Sequence, residues 1–284
     1  MLTTLVIGLR EGVEAALIVG IVAAFLVREG RRDALRSMWA GVGLAVLLCV
    51  GVAMGLSAAQ QQLAPRPQEA FQGVLALVAV LLVTSMIIWM RRNARHLRSG
   101  LETSARSALA RGTTTGLVVM AFLAVVREGF ETAVFLVAQF DAAGANASTG
   151  ALGAVLGLVL AIGLGYATYR GGIRVDLAKF FTVTGVALVL IAAGLVVKGI
   201  GALDEAGLLT VGQATAFDLS WLVRPGTAGA ALLTGMLGVP SLPLVAQVVA
   251  WLVYAVAMTT FVLWPTTRRP ARVTGARTAT PAKA

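Results

Sequence analysis

The chain reads as an all-α polytopic membrane protein. The sequence predicts seven transmembrane helices arranged as an inverted 3+3 repeat plus one helix, with the amino terminus outside and the carboxyl terminus in the cytoplasm. Three observations predict this. Of 284 residues, 58% are hydrophobic and 13% charged, with a mean hydropathy of +0.88, whereas a soluble domain carries about 25% charged residues. Apolar runs long enough to cross a bilayer recur seven times, with basic residues concentrated in alternate connections. One charged pattern, Arg-Glu-Gly-x-Glu, occurs inside both the first and the fourth run.

A helix needs about 20 mainly apolar residues to cross the hydrocarbon core. The qualifying runs are Leu2 to Val27, Ser37 to Ser57, Ala70 to Met90, Thr113 to Ala138, Ala147 to Tyr169, Phe180 to Val197 and Leu244 to Leu263. The first lacks a basic leading region and carries Arg and Glu inside its apolar stretch, which argues against a cleaved signal peptide. Between Arg224 and Arg268 no residue is charged. Pro240 and Pro243 interrupt that stretch, so Gly229 to Val239 reads as an interfacial or re-entrant helix rather than an eighth span. Residues 1–264 thus form one transmembrane domain. Residues 265–284, rich in Pro, Thr and Arg, read as a disordered basic tail.

The net charge of +10, from 23 Lys plus Arg against 13 Asp plus Glu, is distributed by loop and does not indicate a nucleic-acid partner. After the seven runs in order the Lys plus Arg counts are 4, 1, 6, 0, 3, 2 and 5. This alternation obeys the positive-inside rule and sets the orientation given above. The thirty-two glycines follow no Gly-X-Y period and suit close helix packing in a bilayer. The one cysteine, Cys49, lies in an apolar run and allows no intrachain disulfide.

The first run contains Arg10-Glu11-Gly12-Val13-Glu14 and the fourth Arg127-Glu128-Gly129-Phe130-Glu131. Burying six such charges costs on the order of 15 kcal/mol on insertion scales. At about 100° per residue, Arg10, Glu11 and Glu14 fall on one arc of roughly 100°, as do their counterparts. Arg10 reaches Glu14, and Arg127 reaches Glu131, at the i, i+4 spacing. A lone Arg–Glu pair would serve equally as an internal salt bridge. Duplication and the extra carboxylate in each motif argue for a site instead. Four carboxylates and two guanidiniums sum to −2, a charge that attracts a multivalent cation to hard oxygen ligands. The motifs lie in oppositely directed spans, each followed by two more, which is the layout of transporters whose substrate sits between inverted repeats.

With these motifs in spans one and four of seven, the chain resembles the high-affinity iron permeases, the FTR-type family of fungi and its EfeU-type bacterial branch. The resemblance implies iron uptake across the cytoplasmic (inner) membrane, with Glu11, Glu14, Glu128 and Glu131 as intramembrane ligands. It implies no permanently bound cofactor; iron, Fe(II) or Fe(III), is the transported substrate. It further implies acids on the outer side near the end of span six, where Asp204 and Glu205 stand, with Asp218 beyond. Bacterial relatives work with an exported iron-binding protein and an exported haem peroxidase, fungal ones with a multicopper oxidase. In that family ferrous iron is oxidised outside and handed on as ferric ion, yet carboxylates also accept Fe(II) or Mn(II).

Arg10 and Arg127 read as counter-ions, since guanidinium has no lone pair for a metal. Asp141, Asp204, Glu205 and Asp218 lie on the outer side and form a candidate intake mouth, where acids with few bases focus cations. The one histidine, His96, sits in the arginine-rich segment RRNARHLRSG. With no histidine in any span, a membrane haem enzyme is disfavoured. No ATP-binding motif appears, so the chain is not an ATPase by this reading. Two alternatives remain beside iron uptake: a transporter of another cation such as manganese or lead, and a non-transporting membrane subunit whose motif charges hold an assembly together.

Overall fold

The computed structural model describes residues 1–93, 114–143, 147–169, 176–222, 233–234 and 237–264. Seven long helices appear among them: α1 Leu2–Arg28, α2 Arg32–Gln61, α3 Pro65–Asn93, α4 Thr114–Ala143, α5 Ala147–Tyr169, α6 Leu177–Glu205 and α7 Val245–Leu263. Five of them, α2, α3, α5, α6 and α7, are long and apolar enough to cross a membrane. The other two are α1 and α4, whose apolar stretches are broken by the charged motifs. Among the described residues there is no strand, only one isolated antiparallel bridge between Thr215 and Leu244.

The helices match the apolar runs in number and order but extend beyond several of them. The largest extension is in α6, which continues past Val197 to Glu205. Lys198, Asp204 and Glu205 are therefore helical rather than loop residues. Hydrophobicity falls at Lys198, but helix-forming residues continue to a cap at Gly207. Its φ of +74° places it in the left-handed region, and its N–H donates to the carbonyl of Asp204 at 2.8 Å. Asp141 likewise falls in the last turn of α4; its side chain, His96 and residues 265–284 lie outside the described residues. The same holds for most of Gly229 to Val239. Its described end, Leu237–Gly238, packs on Gly194 of α6. Gly194 is eleven residues before the end of that helix, or about 16 Å along its axis.

The most extensive helix contacts pair α1 with α5, α3 with α6, and α2 with α4, followed by α6 with α7 and α1 with α4. Exchanging α1, α2, α3 for α4, α5, α6 leaves the three leading pairs unchanged. Contacts also give the relative directions. Gly8 meets Ala154 and Gly12 meets Leu158 and Ala161, so α1 and α5 run parallel; Gly41 meets Val118 and Phe122 while Gly129 meets Cys49, so α2 and α4 run parallel. Gly73 meets Leu203 and Gly199 meets Leu77, making α3 and α6 antiparallel. In α7, parallel to α3, Tyr254 shares a 2.8 Å hydrogen bond with Thr84, and the carbonyl of Trp264 accepts from Arg91. The turns after α1 and α2 reverse the chain within three residues each. Every consecutive pair of helices is therefore oppositely directed.

The core lies where α3, α4 and α6 converge on Ile7 of α1 and Met258 of α7. Leu75, Ala79, Val83, Phe135, Leu188, Ile191 and Leu195 form its centre. A second cluster, Val22, Leu26, Met38, Leu117 and Ala121, ties the end of α1 to the starts of α2 and α4.

The α1–α5 seam is the tightest. A Cβ on Gly157 would stand 2.6 Å from the backbone nitrogen of Leu9 and 3.0 Å from the carbonyl carbon of Gly8, whereas Gly163 on the same helix meets nothing within 4 Å. Overpacking a closed contact costs about 1–3 kcal/mol. Gly157→Val should therefore lower the thermal midpoint of the detergent-solubilised protein by several degrees, while Gly163→Val leaves it within error. Equal midpoints would mean that the seam is not closed.

Candidate metal site between the two motif helices

Each motif places its charges on one face and its glycine on another. A side chain at Gly12 would meet Ala161 of α5, at 2.7 Å from its Cβ, and one at Gly129 would meet Cys49 of α2, at 2.6 Å from its Sγ. The glycines thus seat α1 and α4 on the helices parallel to them, not on each other. That docking turns both charged faces toward the shared interior.

On α1 the guanidinium of Arg10 is 1% exposed. Its Nη1 donates to Glu11 Oε1 at 3.2 Å and to the sulfur of Met86 on α3, and its Nη2 lies 3.4 Å from Glu14 Oε1. On α4 Arg127 Nε donates to Glu131 Oε1 at 3.2 Å and lies 4.0 Å from Glu128 Oε1. Its side chain is 50% exposed, and its guanidinium stacks over the Trp89 ring at 5.5 Å. The duplicated sequence therefore makes two unlike halves, one arginine sealed among three partners and the other on an open side.

Carboxylate oxygens of Glu11, Glu128 and Glu131 lie within 4.8 Å of one another, and all three residues are buried. Glu14, also buried, stands one turn along and is held by Arg10. The Oε2 atoms of Glu11, Glu128 and Glu131 are buried without hydrogen-bond partners. Buried polar atoms normally find a partner, and for an acceptor-only oxygen that partner is a donor or a cation. A small hard cation with oxygen ligands at about 2.1 Å spans opposed oxygens about 4.2 Å apart, so a modest inward movement would let the trio bind one. The set of donors, three carboxylates and no nitrogen or thiolate, suits hard or borderline divalent and trivalent ions.

The acids expected at an intake mouth differ in their contacts. Asp204 accepts from Gln213 Nε2 at 2.8 Å. Asp218, exposed, accepts from the backbone N–H of Ser220 at 2.7 Å, and Ser220 holds its carboxyl below the usual aspartate range. Both fasten the loop between α6 and α7. Glu205 instead lines a cavity of about 240 Å³ together with Glu69, Gln72, Lys198 and Gln247. The α3 residues Met86, Trp89 and Glu69, and Lys198 on α6, carry no motif that marks them in the sequence. Met86 and Trp89 come to the site only through the crossing of α3 with α1 and α4. Lys198 was separable from a loop cation only by the true length of α6.

Comparison with known proteins places these features in context. The chain is similar to the ferrous iron permease EfeU of Escherichia coli O6:H1 (strain CFT073), 40% identical over 271 residues that cover 93% of this chain and 96% of that protein. It is 39% identical to the ferrous iron permease EfeU of Shigella sonnei (strain Ss046) over the same coverage. To that of Yersinia pestis it is 37% identical over 285 residues, 99% of this chain and the whole of that protein. No solved structure matches the chain. The profile of the iron permease FTR1 family matches residues 1–267, and with relatives this similar along nearly its whole length the chain, a multi-pass membrane permease rather than an enzyme, belongs to that family.

Proposed function

We propose that this chain imports iron across the cytoplasmic membrane, with Glu11, Glu128 and Glu131 as the ion's principal ligands and Glu14 as a fourth carboxylate held in reserve by Arg10. One observation carries the reading: three buried carboxylates from two separate helices converge within 4.8 Å, each with an oxygen that nothing else satisfies. Because the relatives are named ferrous iron permeases, Fe(II) is the form assigned. Arg10 and Arg127 are counter-ions that keep the site from carrying four uncompensated charges.

The alternating helix directions support seven crossings with the amino terminus outside. Counted strictly between the helix ends, Lys plus Arg after the seven helices number 1, 0, 4, 0, 2, 1 and 5, which still alternates as the positive-inside rule requires. The exchange-invariant packing of α1–α3 with α4–α6 supports an inverted repeat, with the glutamate site where the repeats meet. The cavity lined by Glu69 and Glu205 then opens on the outer side, which makes Glu205 the intake acid. An exported iron-binding protein and a haem peroxidase would supply the ion there; family resemblance alone supports these partners.

Uptake of radiolabelled Fe(II), Fe(III) and Mn(II) by cells lacking other importers tests the reading. Glu11→Gln, Glu128→Gln and Glu131→Gln should each cut Fe(II) uptake at least tenfold with the protein still in the membrane. Uptake indifferent to all three would leave a non-transporting subunit, and dependence for Mn(II) alone another cation transporter. The arginines should differ. Arg10→Lys should fail nearly as badly as Arg10→Ala, because one ammonium cannot hold Glu11, Glu14 and Met86 together, while Arg127→Lys should keep most of the uptake that Arg127→Ala loses. Matching results at both positions would contradict the asymmetry. At the mouth, Glu205→Gln should raise the iron concentration for half-maximal uptake severalfold at little change in maximal rate, and Asp204→Asn should do neither. A loss of maximal rate alone would move Glu205 to the translocation step or to folding.

A further inference from the structure

The motif faces of α1 and α4 are not buried alike on the two sides of the glutamates. Arg10, Glu11 and Glu14 recur 117 residues later as Arg127, Glu128 and Glu131, so positions on α1 have counterparts on α4. On the proposed outer side, Ile7 and Phe135 are fully buried in the core built on α3 and α6. Their counterparts on the inner side, Ala124 and Ile18, are half-buried. Beside the glutamates Val13 is 3% exposed and its counterpart Phe130 44%, and Arg10 is sealed where Arg127 is open. The cause is where α3 and α6 stop. Met90 of α3 and Phe181 of α6 pack on Val13, and their helices end three and four residues further inward, at Asn93 and Leu177. Past Val13, α1 runs on for fifteen residues to Arg28, about 22 Å, with the starts of α2 and α4 packed along it. The recess so formed begins at the glutamates and runs inward. Arg127 stands at its head, and a guanidinium half-open to hydrocarbon would be costly, so the recess is aqueous. Outward, Phe135 separates Glu131 from Ala138 on one face of α4, and Ala138 is the α4 residue that lines the outer cavity.

We propose that this is the inward-facing state of a carrier whose two repeats exchange conformations, with Ile7 and Phe135 closing the glutamate site toward the outside and the faces at Ile18 and Ala124 lining the ion's exit to the cytoplasm. This rests on the import reading above. In an inverted repeat the two halves hold unlike conformations, and exchanging them turns the site to the other side of the membrane. Unlike burial of equal positions is the mark of one such state; equal burial would mark a site closed on both sides. The exchanged state seals Ile18, Ala124 and Arg127 and opens the outer cavity to the glutamates past Ile7 and Phe135, with Arg10 then the half-open arginine. The ion meets one open side at a time. Arg127, the looser counter-ion here, is the one on the release side.

Single cysteines in a Cys49→Ala chain, which has no other thiol, test the assignment: Ile7→Cys, Phe135→Cys, Ile18→Cys and Ala124→Cys. A charged, membrane-impermeant thiol reagent is applied without iron to inside-out vesicles and to spheroplasts. The variants at 18 and 124 should react from the inner side at least tenfold faster than those at 7 and 135 react from either side. Leu17→Cys and Val134→Cys, a counterpart pair of which one is half-buried and the other buried, give the same comparison should a first variant fail to reach the membrane. Ala124→Ile with Ile18→Phe gives the inner side the residues that close the outer one. Combined with Ile7→Cys, it should make position 7 reactive from outside, and by itself it should lower the maximal rate of iron uptake severalfold. Position 7 staying unreactive in such a chain in the membrane would overturn the exchange. Equal rates at all positions, faster reaction of the outer pair, or no reaction anywhere would overturn the inward-facing state while import by the glutamates stood. Reaction at 18 and 124 confined to the outer side would overturn the orientation and the import reading with it. The expected labelling in a chain whose uptake ignores Glu11, Glu128 and Glu131 would overturn the import reading alone.

Discussion

Six charged side chains placed in the apolar middles of two helices are tolerable only where each can be answered by a group from another helix. This requirement organises the bundle. A carboxylate or guanidinium facing lipid would cost several kcal/mol, so α1 and α4 must turn their charged arcs toward each other and their opposite faces toward something else. The motif glycines decide what that is. Gly12 admits α5 and Gly129 admits α2, each a parallel helix, and α1 and α5 pack almost backbone to backbone. The two leading contact pairs that exchange under the repeat, α1 with α5 and α2 with α4, are thus the supports on which the charged faces are aimed. The third, α3 with α6, supplies the core beneath them.

Sequence symmetry does not survive into chemical symmetry. Arg10 and Arg127 hold the same place in the same motif, yet one is enclosed by Glu11, Glu14 and Met86 while the other lies half-open against Trp89. The cause is α3, which packs on α4 and reaches α1 through the Met86 side chain, so that it lends each arginine a different neighbour. The proposed import site benefits from the difference. A fully sealed pair of ion pairs would hold its charges as structure; an arginine with an open side can move and release the carboxylate it neutralises.

Much of this was legible in the sequence, for reasons that can be named. Apolar runs of about 20 residues separated by charge are a one-dimensional signal, so the number and order of the helices followed directly. Arg and Glu inside such runs are conspicuous because they are costly. Their meeting across α1 and α4 followed from duplication, although Glu14 sits outside the trio that converges most closely. Helix ends were less legible, because hydrophobicity stops where the bilayer stops and helical hydrogen bonding does not; α6 runs eight residues past Val197 and takes Lys198 with it. Met86, Trp89 and Glu69 were not legible at all. Nothing in α3 distinguishes them from ordinary membrane-helix residues until the crossing angles are known. Asp204 and Asp218 read as acids of a mouth, and the sequence does not show that they also accept hydrogen bonds within the segment between α6 and α7.

The looseness of the glutamate trio is itself part of the chemistry. A structural metal site closes its ligands to bonding distance and satisfies every oxygen, which makes release slow. Here the carboxylates stand up to 4.8 Å apart, with three oxygens unsatisfied and two counter-ions already in place. On the import reading proposed above, an ion entering must draw the ligands inward against Arg10 and Arg127, which compete for the same oxygens. That competition lowers affinity at contact while leaving some attraction from a distance, since the site still carries a formal charge of −2. A carrier needs this balance: strong enough to take up the ion, weak enough at contact to pass it on. Two arginines in a cation site, which would be a flaw in an iron-storage pocket, are on this argument what keeps a permease from becoming a trap.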